Sequence, residues 1–151
     1  MASIRSRIGE NMEDRYLFKA KRIDNGEWIT GYLLVKKKDF YICEKPYECM
    51  DEYSSLNGQS YGFGCFKFVD PPTICQCTGL KDKNGKPIWE NDIVVYRDFT
   101  EEKYVIAWKQ DEACFEYQQY GCSIMNFEQL SGCEVEVIGN IFDNPELLEV
   151  G

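Results

Sequence analysis

Residues 78–96 read TGLKDKNGKPIWENDIVVY, a stretch that joins two chain reversals to the beginning of an apolar strand. Asn84-Gly85 lies at the centre of the first reversal, because Asn and Gly tolerate the positive φ angles of a tight hairpin turn. The three lysines around this turn are expected to be solvated side chains, since acidic residues lie close to them in sequence. The stretch therefore predicts the hinge of a small β-sheet and not a ligand-binding site.

Five short apolar segments occur from residue 73 onward, and polar turn residues separate them. They are TICQC (73–77), DIVVY (92–96), KYVIAW (103–108), CFEY (114–117) and CEVEVIGNIF (133–142). In the last segment valine alternates with glutamate, which is typical of a strand with one buried face. Asn144-Pro145 combines a good N-cap with a proline at the first helical position. We expect a small SH3-like β-barrel over 73–151 that ends in a short helical turn.

The first half of the chain predicts an antiparallel β-meander. A first strand-like run, 16–23, is joined to a second by the turn Asp24-Asn25-Gly26-Glu27, and a lysine-rich turn leads to a third run. Residues 45–64 lose this periodicity and are expected to form a long loop. The fold predicted from sequence is mainly β, with this N-terminal meander packed on the C-terminal barrel.

Three segments describe the expected domain organisation. Residues 1–13 show no apolar periodicity and predict a flexible extension. Residues 14–72 comprise the meander, its long loop and a strand CFKFV that ends at Asp70-Pro71-Pro72. Residues 73–151 comprise the barrel, which is expected to share one core with the meander.

The charge of the chain is unevenly distributed. The net charge is −9, and residues 98–151 carry 12 acidic side chains but only two basic ones, Lys103 and Lys109. An acidic surface repels phosphate backbones, so this third of the chain disfavours nucleic acid and favours a basic protein partner or simple solubility.

The sequence predicts a cytoplasmic protein that remains in the compartment where it is made, without membrane contact. It contains no run of about 20 apolar residues that could cross a bilayer, and no signal peptide. The eight cysteines are accordingly expected to be reduced thiols.

Most familiar catalytic and metal-binding arrangements are missing from the sequence. It contains no histidine, no Cys-x-x-Cys pair and no Walker A motif. Cys75 and Cys77 share one strand face and are expected to be small buried hydrophobic residues. Glu101-Glu102 and Asp111-Glu112 lie in predicted turns, where charge is solvated. No residue is therefore predicted to be catalytic, to bind a cofactor or to bind a metal.

One group of aromatic residues suggests an alternative use. Tyr61, Phe63 and Phe66 beside Lys67 could form a stacking platform for nucleic acid. Packing in the core and the loop explains these aromatics more simply, because aromatic residues dominate small β cores.

The motifs TGLKDKNGKPIWENDIVVY and EVIGNIFDNPELL resemble those of the YopX family of small phage and prophage proteins. RYLFKAKRIDNGEWITGYLL is similar to the opening hairpin of that family, so the resemblance covers most of residues 14–149. It implies a mostly β fold and a phage or prophage origin, but no settled activity, cofactor or catalytic residue. Asn91 stands where the family usually has glycine, and 11 residues precede the family start at Met12.

The leading functional hypothesis is a non-enzymatic phage or prophage accessory protein that binds another protein. The acidic C-terminal third and the 45–64 loop are the predicted contact regions. The first alternative is a nucleic-acid-binding small β-barrel, because the N-terminal half is comparatively basic. The second alternative is a metal-dependent enzyme that uses carboxylates or thiolates. The sequence leaves open whether the chain forms a homo-oligomer.

Overall fold

The structure, a computed structural model, describes residues 14–44, 65–96, 99–119, 122–126 and 134–149. These residues form a mainly β protein, as the sequence predicts, and the strands belong to two antiparallel sheets. The predicted extension 1–13 and the predicted loop 45–64 lie outside the described residues. The part of the chain that the structure describes has no helix long and apolar enough to cross a membrane.

Eleven strands and two short 3-10 helices are described. The strands are β1 (Phe18–Lys21), β2 (Trp28–Lys36), β3 (Asp39–Cys43), β4 (Phe66–Phe68), β5 (Cys75–Lys81), β6 (Pro87–Trp89), β7 (Asp92–Tyr96), β8 (Phe99–Lys109), β9 (Cys114–Gln119), β10 (Cys122–Asn126) and β11 (Val135–Asn140). The 3-10 helices are Pro71–Thr73 and Pro145–Leu148, and the second confirms the predicted terminal helical turn. The sheets have the orders β4-β3-β2-β1-β5-β6 and β10-β9-β8-β7-β11.

The chain divides into two compact units, with one boundary before Tyr16 and the other between Gln76 and Cys77. In the unit that begins at Tyr16, strands β1 to β3 form the predicted antiparallel meander, and β4 pairs with β3. The meander is curled, because the end of β4 is also bonded to the chain at the end of β1. The amide of Ile23 donates to the carbonyl of Phe68 at 3.1 Å, and Arg22 and Val69 form an antiparallel bridge.

The curl gives this sheet an inner and an outer face. Side chains alternate between the two faces along each strand. The inner face carries a core of Ala20, Ile29, Ile42 and Val69, all of them at most 5% exposed. The opposite face therefore carries the alternate residues of the same strands, and several of these are large and apolar.

The second unit contains the β5–β6 hairpin and the five-stranded sheet. Its core brings Ile88 of the hairpin together with residues of β7, β8, β9 and β11. In the described residues this sheet is open, with β10 and β11 at its edges. The SH3-like barrel predicted over 73–151 is thus not confirmed.

Three local predictions differ from the structure. Strand β8 begins at Phe99, so Glu101 and Glu102 lie within a strand and not in a turn, because the pairing of Phe99 with Tyr96 of β7 extends the strand beyond its apolar run. Strand β10 carries no clear alternation and was not predicted. Cys65 is disulfide-bonded, which the expectation of reduced thiols missed. The cellular compartment does not determine which sulfur atoms the fold brings within bonding distance.

Candidate functional site

Asp82 lies at the centre of the motif that spans 78–96. Its carboxylate is buried, and Oδ1 accepts hydrogen bonds from the backbone N–H groups of Asn84 and Lys86 at 2.8 and 2.9 Å. Oδ2 accepts a third from the N–H of Val137 in β11 at 3.1 Å. One side chain therefore shapes the hairpin turn and fastens that turn to the second motif.

The pKa of Asp82 reflects this environment. Burial by itself raises the pKa, but the N–H donors of Val137, Lys86 and Asn84 favour the ionised form, and the net result is a pKa below the ordinary value. The carboxylate is thus held as an anion by backbone dipoles. This is the behaviour expected of a structural carboxylate and not of a general base, whose pKa lies near the working pH.

A second buried carboxylate organises the next turn. Asp92 is 2% exposed, and its Oδ2 accepts a hydrogen bond from the N–H of Trp89 at 2.8 Å. Asn91 beside it has a φ of 67° and donates its N–H to the carbonyl of Ile106 at 2.7 Å. The position has a positive φ, and Asn is one of the few residues other than glycine that tolerate this conformation.

The terminal motif is held together in a similar way. The side-chain oxygen of Asn144 accepts a hydrogen bond from the N–H of Asn140 at 3.3 Å. A Cβ atom on Gly139 would lie 2.5 Å from that same oxygen, so a larger residue would displace it. The sequence requirements of this motif are therefore explained by packing.

The lysines of residues 81–86 behave as the sequence predicts. All three are exposed, and Lys83 forms an ion pair with Glu136 at 2.5 Å. The two motifs of the chain thus meet in one structural cluster. That cluster joins the hairpin turn to strand β11 and so explains why both motifs matter to the fold.

The acidic C-terminal third is less open than its composition indicates. Glu134 accepts a hydrogen bond from the hydroxyl of Tyr96 at 2.6 Å, and Glu116 is buried, 3.8 Å from the ammonium group of Lys109. Glu102 accepts a hydrogen bond from the hydroxyl of Tyr104 and thereby raises the pKa of Tyr104 to about 12. Several of these acids therefore serve the fold, which weakens the idea of a continuous acidic docking surface.

The described residues contain no group of three or more acidic or cysteine side chains that could hold a metal ion. Cys75 and Cys77 are 1% and 2% exposed, as predicted for small buried hydrophobic residues. The Cys75 thiol donates to the carbonyl of Thr73 at 3.3 Å. Neither thiol is accessible from solvent.

A group of exposed apolar side chains lies on the outer face of the curled meander. Leu34, Tyr41 and Phe68 are cross-strand neighbours in β2, β3 and β4, and backbone pairing places Ile23 next to Phe68. We call these four residues the outer row. Ile23 is 64% exposed, Phe68 53% and Leu34 37%, whereas Tyr41 is covered, with its ring centroid 4.4 Å from that of Phe68.

A shallow open depression of about 310 Å³ lies at one end of the outer row. Its lining residues are Ile23, Asp24, Phe66, Lys67 and Phe68. Arg22 binds Asp24 through two hydrogen bonds at 2.9 and 2.5 Å, so this carboxylate is already neutralised. The depression combines apolar walls with one lysine at its lining.

A cation–π cluster lies on the same face. The ammonium groups of Lys19 and Lys21 are 5.1 and 5.4 Å from the ring centroid of Trp28. Lys19 and Lys21 lie opposite Thr30 and Trp28 in the β1–β2 pairing, so the cluster belongs to the outer surface near the beginning of β2.

The sequence predicts only part of the surface around the depression and the outer row. Phe66 and Lys67 were singled out as part of an aromatic platform and do line the depression, whereas Tyr61 and Phe63 lie outside the described residues. Ile23 and Phe68 were missed. The period of two puts Phe68 opposite the core face, which was a usable signal, but the contact that joins Ile23 to Phe68 depends on the curl of the sheet.

Comparison with known proteins agrees with this architecture. The family model described as "YopX protein" matches residues 13–149. The fold is similar to the crystal structure of protein EF1440 from Enterococcus faecalis, with a TM-score of 0.52, 24% identity, and coverage of 87% of this chain and 96% of that one. It is also similar to the crystal structure of protein yopX from Bacillus subtilis, with a TM-score of 0.51, 17% identity, and coverage of 91% and 98%.

No curated protein matches the chain. The two structural similarities concern the fold, since both identities are low. The family match covers nearly the whole sequence and includes both motifs whose hydrogen bonds are described above. The chain belongs to the YopX family.

Proposed function

We propose that this protein is a non-enzymatic accessory protein of a phage or prophage, that it acts in the cytoplasm of the bacterial host, and that it binds another protein through the outer row. The observation that carries this proposal is the exposure of Ile23 and Phe68 at 64% and 53% in adjoining positions. An SH3-like arrangement of 73–151 also remains our proposal for that half of the chain.

Exposed apolar side chains are ordinary when they are scattered and informative when they adjoin. Burying a Leu, Ile or Phe side chain stabilises a protein by about 1.5–3 kcal/mol. The three exposed residues of the outer row contribute only part of that free energy. Contiguous apolar patches with polar rims are typical of protein–protein contact sites. Aromatic residues at the centre of a patch commonly carry most of the binding energy, and Phe68 has that position here.

This assignment moves the expected contact away from the acidic third of the chain. Glu116 is buried, and Glu134 and Glu136 are each bonded to a neighbouring side chain. Their carboxylates already have partners within the fold and are therefore less available to a basic partner. The outer row lacks such internal partners and is the stronger candidate.

Affinity capture from phage-infected or prophage-induced bacterial cells tests the proposal. The double variant Ile23→Ser/Phe68→Ser should lose a partner that the wild-type protein retains, and the purified partner should bind the wild-type protein alone in calorimetry. Leu80→Ser is the matched control, because Leu80 is also an exposed apolar residue, at 36%, and lies in the other unit. A partner retained equally by the double variant would contradict the proposal.

Binding of nucleic acid is a second candidate, and the cation–π cluster favours it. Two lysines beside a partly buried indole ring resemble the pairing of charge and aromatic surface used by single-strand-binding proteins. A mobility-shift assay at low and moderate salt tests this candidate. True phosphate contacts would weaken steeply with salt and would be reduced in Lys19→Glu/Lys21→Glu.

A further inference from the structure

We propose that strand β2 pairs with the β2 strand of a second copy of this chain and so forms a symmetric dimer. The pairing uses the open edge, which we define as residues 32–36 of β2 on the side of β1. This inference goes beyond the proposed function and does not depend on it, because Ile23 and Phe68 lie outside the open edge.

The two halves of β2 have different neighbours. Residues 28–31 pair with β1, whereas residues 32–36 pair with β3 on the opposite side. The chain before β1 does not follow the second half, because residues 14–16 are in a helical and turn conformation. Among the described residues, no strand therefore lies beside the open edge.

The hydrogen-bond pattern shows which backbone groups face the open edge. The N–H of Arg22 donates to the carbonyl of Glu27 at 2.9 Å, so Glu27 directs its backbone groups toward β1. Successive residues of a strand direct these groups to alternate sides, so Leu33 and Val35 direct theirs to the same side as Glu27. Each of the two presents an N–H donor and a C=O acceptor that no strand in the described ranges uses.

Other edges of this unit are capped by hydrogen bonds. At the end of β1, the carbonyl of Lys21 accepts a hydrogen bond from the N–H of Asp70, and the N–H of Lys21 donates to Thr73 Oγ1, both at 2.8 Å. On β4, the carbonyl of Phe68 is bonded to Ile23. Folded proteins commonly cover their edges, because exposed backbone groups pair with further strands. An edge left open beside capped ones is therefore suited to strand addition.

The side chains of the open edge are apolar and accessible. Val35 is 52% exposed, and Tyr32 and Leu34 are exposed as well. A second strand beside them would contact these side chains across the pair. Strand addition would thus bury apolar surface as well as the backbone groups.

A symmetric antiparallel pairing fits this edge when it is centred on Leu34. Leu33 then lies opposite Val35 of the second copy, and the two residues exchange both backbone hydrogen bonds. Leu34 lies opposite its own counterpart, and Tyr32 lies opposite Lys36, so no like charges are opposed. The open edge is therefore complementary to itself, as the interface of a two-fold dimer must be.

Other registers fit less well. A pairing centred on Leu33 requires the backbone groups of Gly31, which already pair with Phe18 of β1. A pairing centred on Val35 requires Lys37, which follows the strand and lies in a turn with a φ of 59°. The register centred on Leu34 uses the open edge completely, and with a second copy it does so on both chains.

Sedimentation velocity tests the inference. The wild-type protein should form a dimer that dissociates at micromolar concentration, because a short strand pair is a small interface. Leu34→Lys and Leu34→Glu should each weaken self-association about tenfold or more, since two like charges would then face each other about 5 Å apart. An equimolar mixture of the two variants should dimerise again, because the facing charges are then opposite.

Val35→Pro is a second test. It removes the N–H that faces the open edge and keeps the hydrogen bonds between β2 and β3, so the folded variant should be monomeric. Circular dichroism checks its fold, and the charge-reversal mixture decides if this variant does not fold. Leu80→Lys is the control, because Leu80 is 36% exposed, close to the 37% of Leu34, and lies in the other unit. It should leave the dimer unchanged.

A wild-type protein that remains monomeric throughout the micromolar range would overturn the inference, even if a strand of another protein binds the open edge. A dimer that persists in Val35→Pro would overturn it too, as would a mixture of Leu34→Lys and Leu34→Glu that stays monomeric. The double variant Ile23→Ser/Phe68→Ser should still dimerise. Loss of the captured partner and loss of self-association are therefore separate results.

Discussion

The carboxylate of Asp82 accepts backbone hydrogen bonds from two separate parts of the chain, the turn at 84–86 and strand β11. Each bond to a charged acceptor contributes about 1.5–3 kcal/mol when the alternative is an unsatisfied group. At the scale of one residue, the fold depends on short polar side chains that bind backbone groups. Asp92 and Asn144 act in the same way within their turns.

We expect Asp82→Asn to lower the free energy of unfolding by about 2 kcal/mol at pH 7, because the amide keeps one acceptor and turns an NH₂ group toward an N–H donor. Urea unfolding followed by fluorescence measures the change. Asp111→Asn, in an exposed turn, should change stability by less than about 0.5 kcal/mol.

The loss of stability on Asp82→Asn should depend on pH, and the pKa of Asp82 gives the direction of this dependence. The pKa of Asp82 is lower in the folded protein than its ordinary value of about 3.9, so its stabilising contribution is complete above that pH and is lost as the pH falls through the folded pKa. The difference between wild type and Asp82→Asn should therefore shrink below about pH 4. A difference that stays constant at acidic pH would show that the carboxylate charge is not responsible.

At the scale of elements, the close approach of β2 and β3 depends on Gly31. A Cβ atom at this position would overlap the carbonyl oxygen of Cys43 and would lie 2.7 Å from its carbon and 2.9 Å from the Cα of Glu44. Backbone atoms cannot rotate away as side chains do. Gly31 shares the inner face of the sheet with Ile29, and it therefore lets the backbone at Cys43 and Glu44 approach β2 on that face.

We expect Gly31→Ala to destabilise the protein by about 3 kcal/mol, because the strand pairing must shift to admit the methyl group. Gly85→Ala is the matched control. Gly85 has a φ of 79° but open space around its Cβ position, so its substitution should cost only about 1 kcal/mol of backbone strain. Thermal unfolding of the two variants makes the comparison. Equal losses would mean that the overlap at Gly31 is relieved without cost.

The Asn-Gly turn predicts that Gly85→Val unfolds or aggregates the protein, because a β-branched residue rarely adopts a φ of 79°. Thermal unfolding and light scattering measure this outcome. The hairpin is fixed by Asp82 as well as by glycine.

At the scale of the whole molecule, the cysteines report on global opening of the fold. Cys43, Cys75 and Cys77 are at most 2% exposed, whereas Cys114 is partly accessible. Burial, with the charges of Glu112 and Glu116, raises the pKa of the Cys114 thiol and slows its reaction at neutral pH.

Labelling with N-ethylmaleimide at pH 8, followed by peptide mass spectrometry, should modify Cys114 before the three buried thiols. Their modification requires unfolding, so it should accelerate with urea in proportion to the unfolded population. The rate at Cys114 should rise with pH as its thiolate forms. Equal rates at Cys43 and Cys114 in the absence of urea would contradict the burial described here.

The sequence alone determined the mainly β class, the meander turns, the terminal helical turn, the buried cysteine pair and the family. These features depend on local rules, such as the positive φ of Asn-Gly and the alternation of Val135 and Val137 with glutamate. Only the tertiary structure decided that Asp82 is a buried hydrogen-bond acceptor and that Ile23 adjoins Phe68. It also decided that Glu134 accepts a hydrogen bond and that Glu136 forms an ion pair. Each of these is a contact between residues distant in sequence, and local propensity carries no information about which strand ends the curl of a sheet brings together.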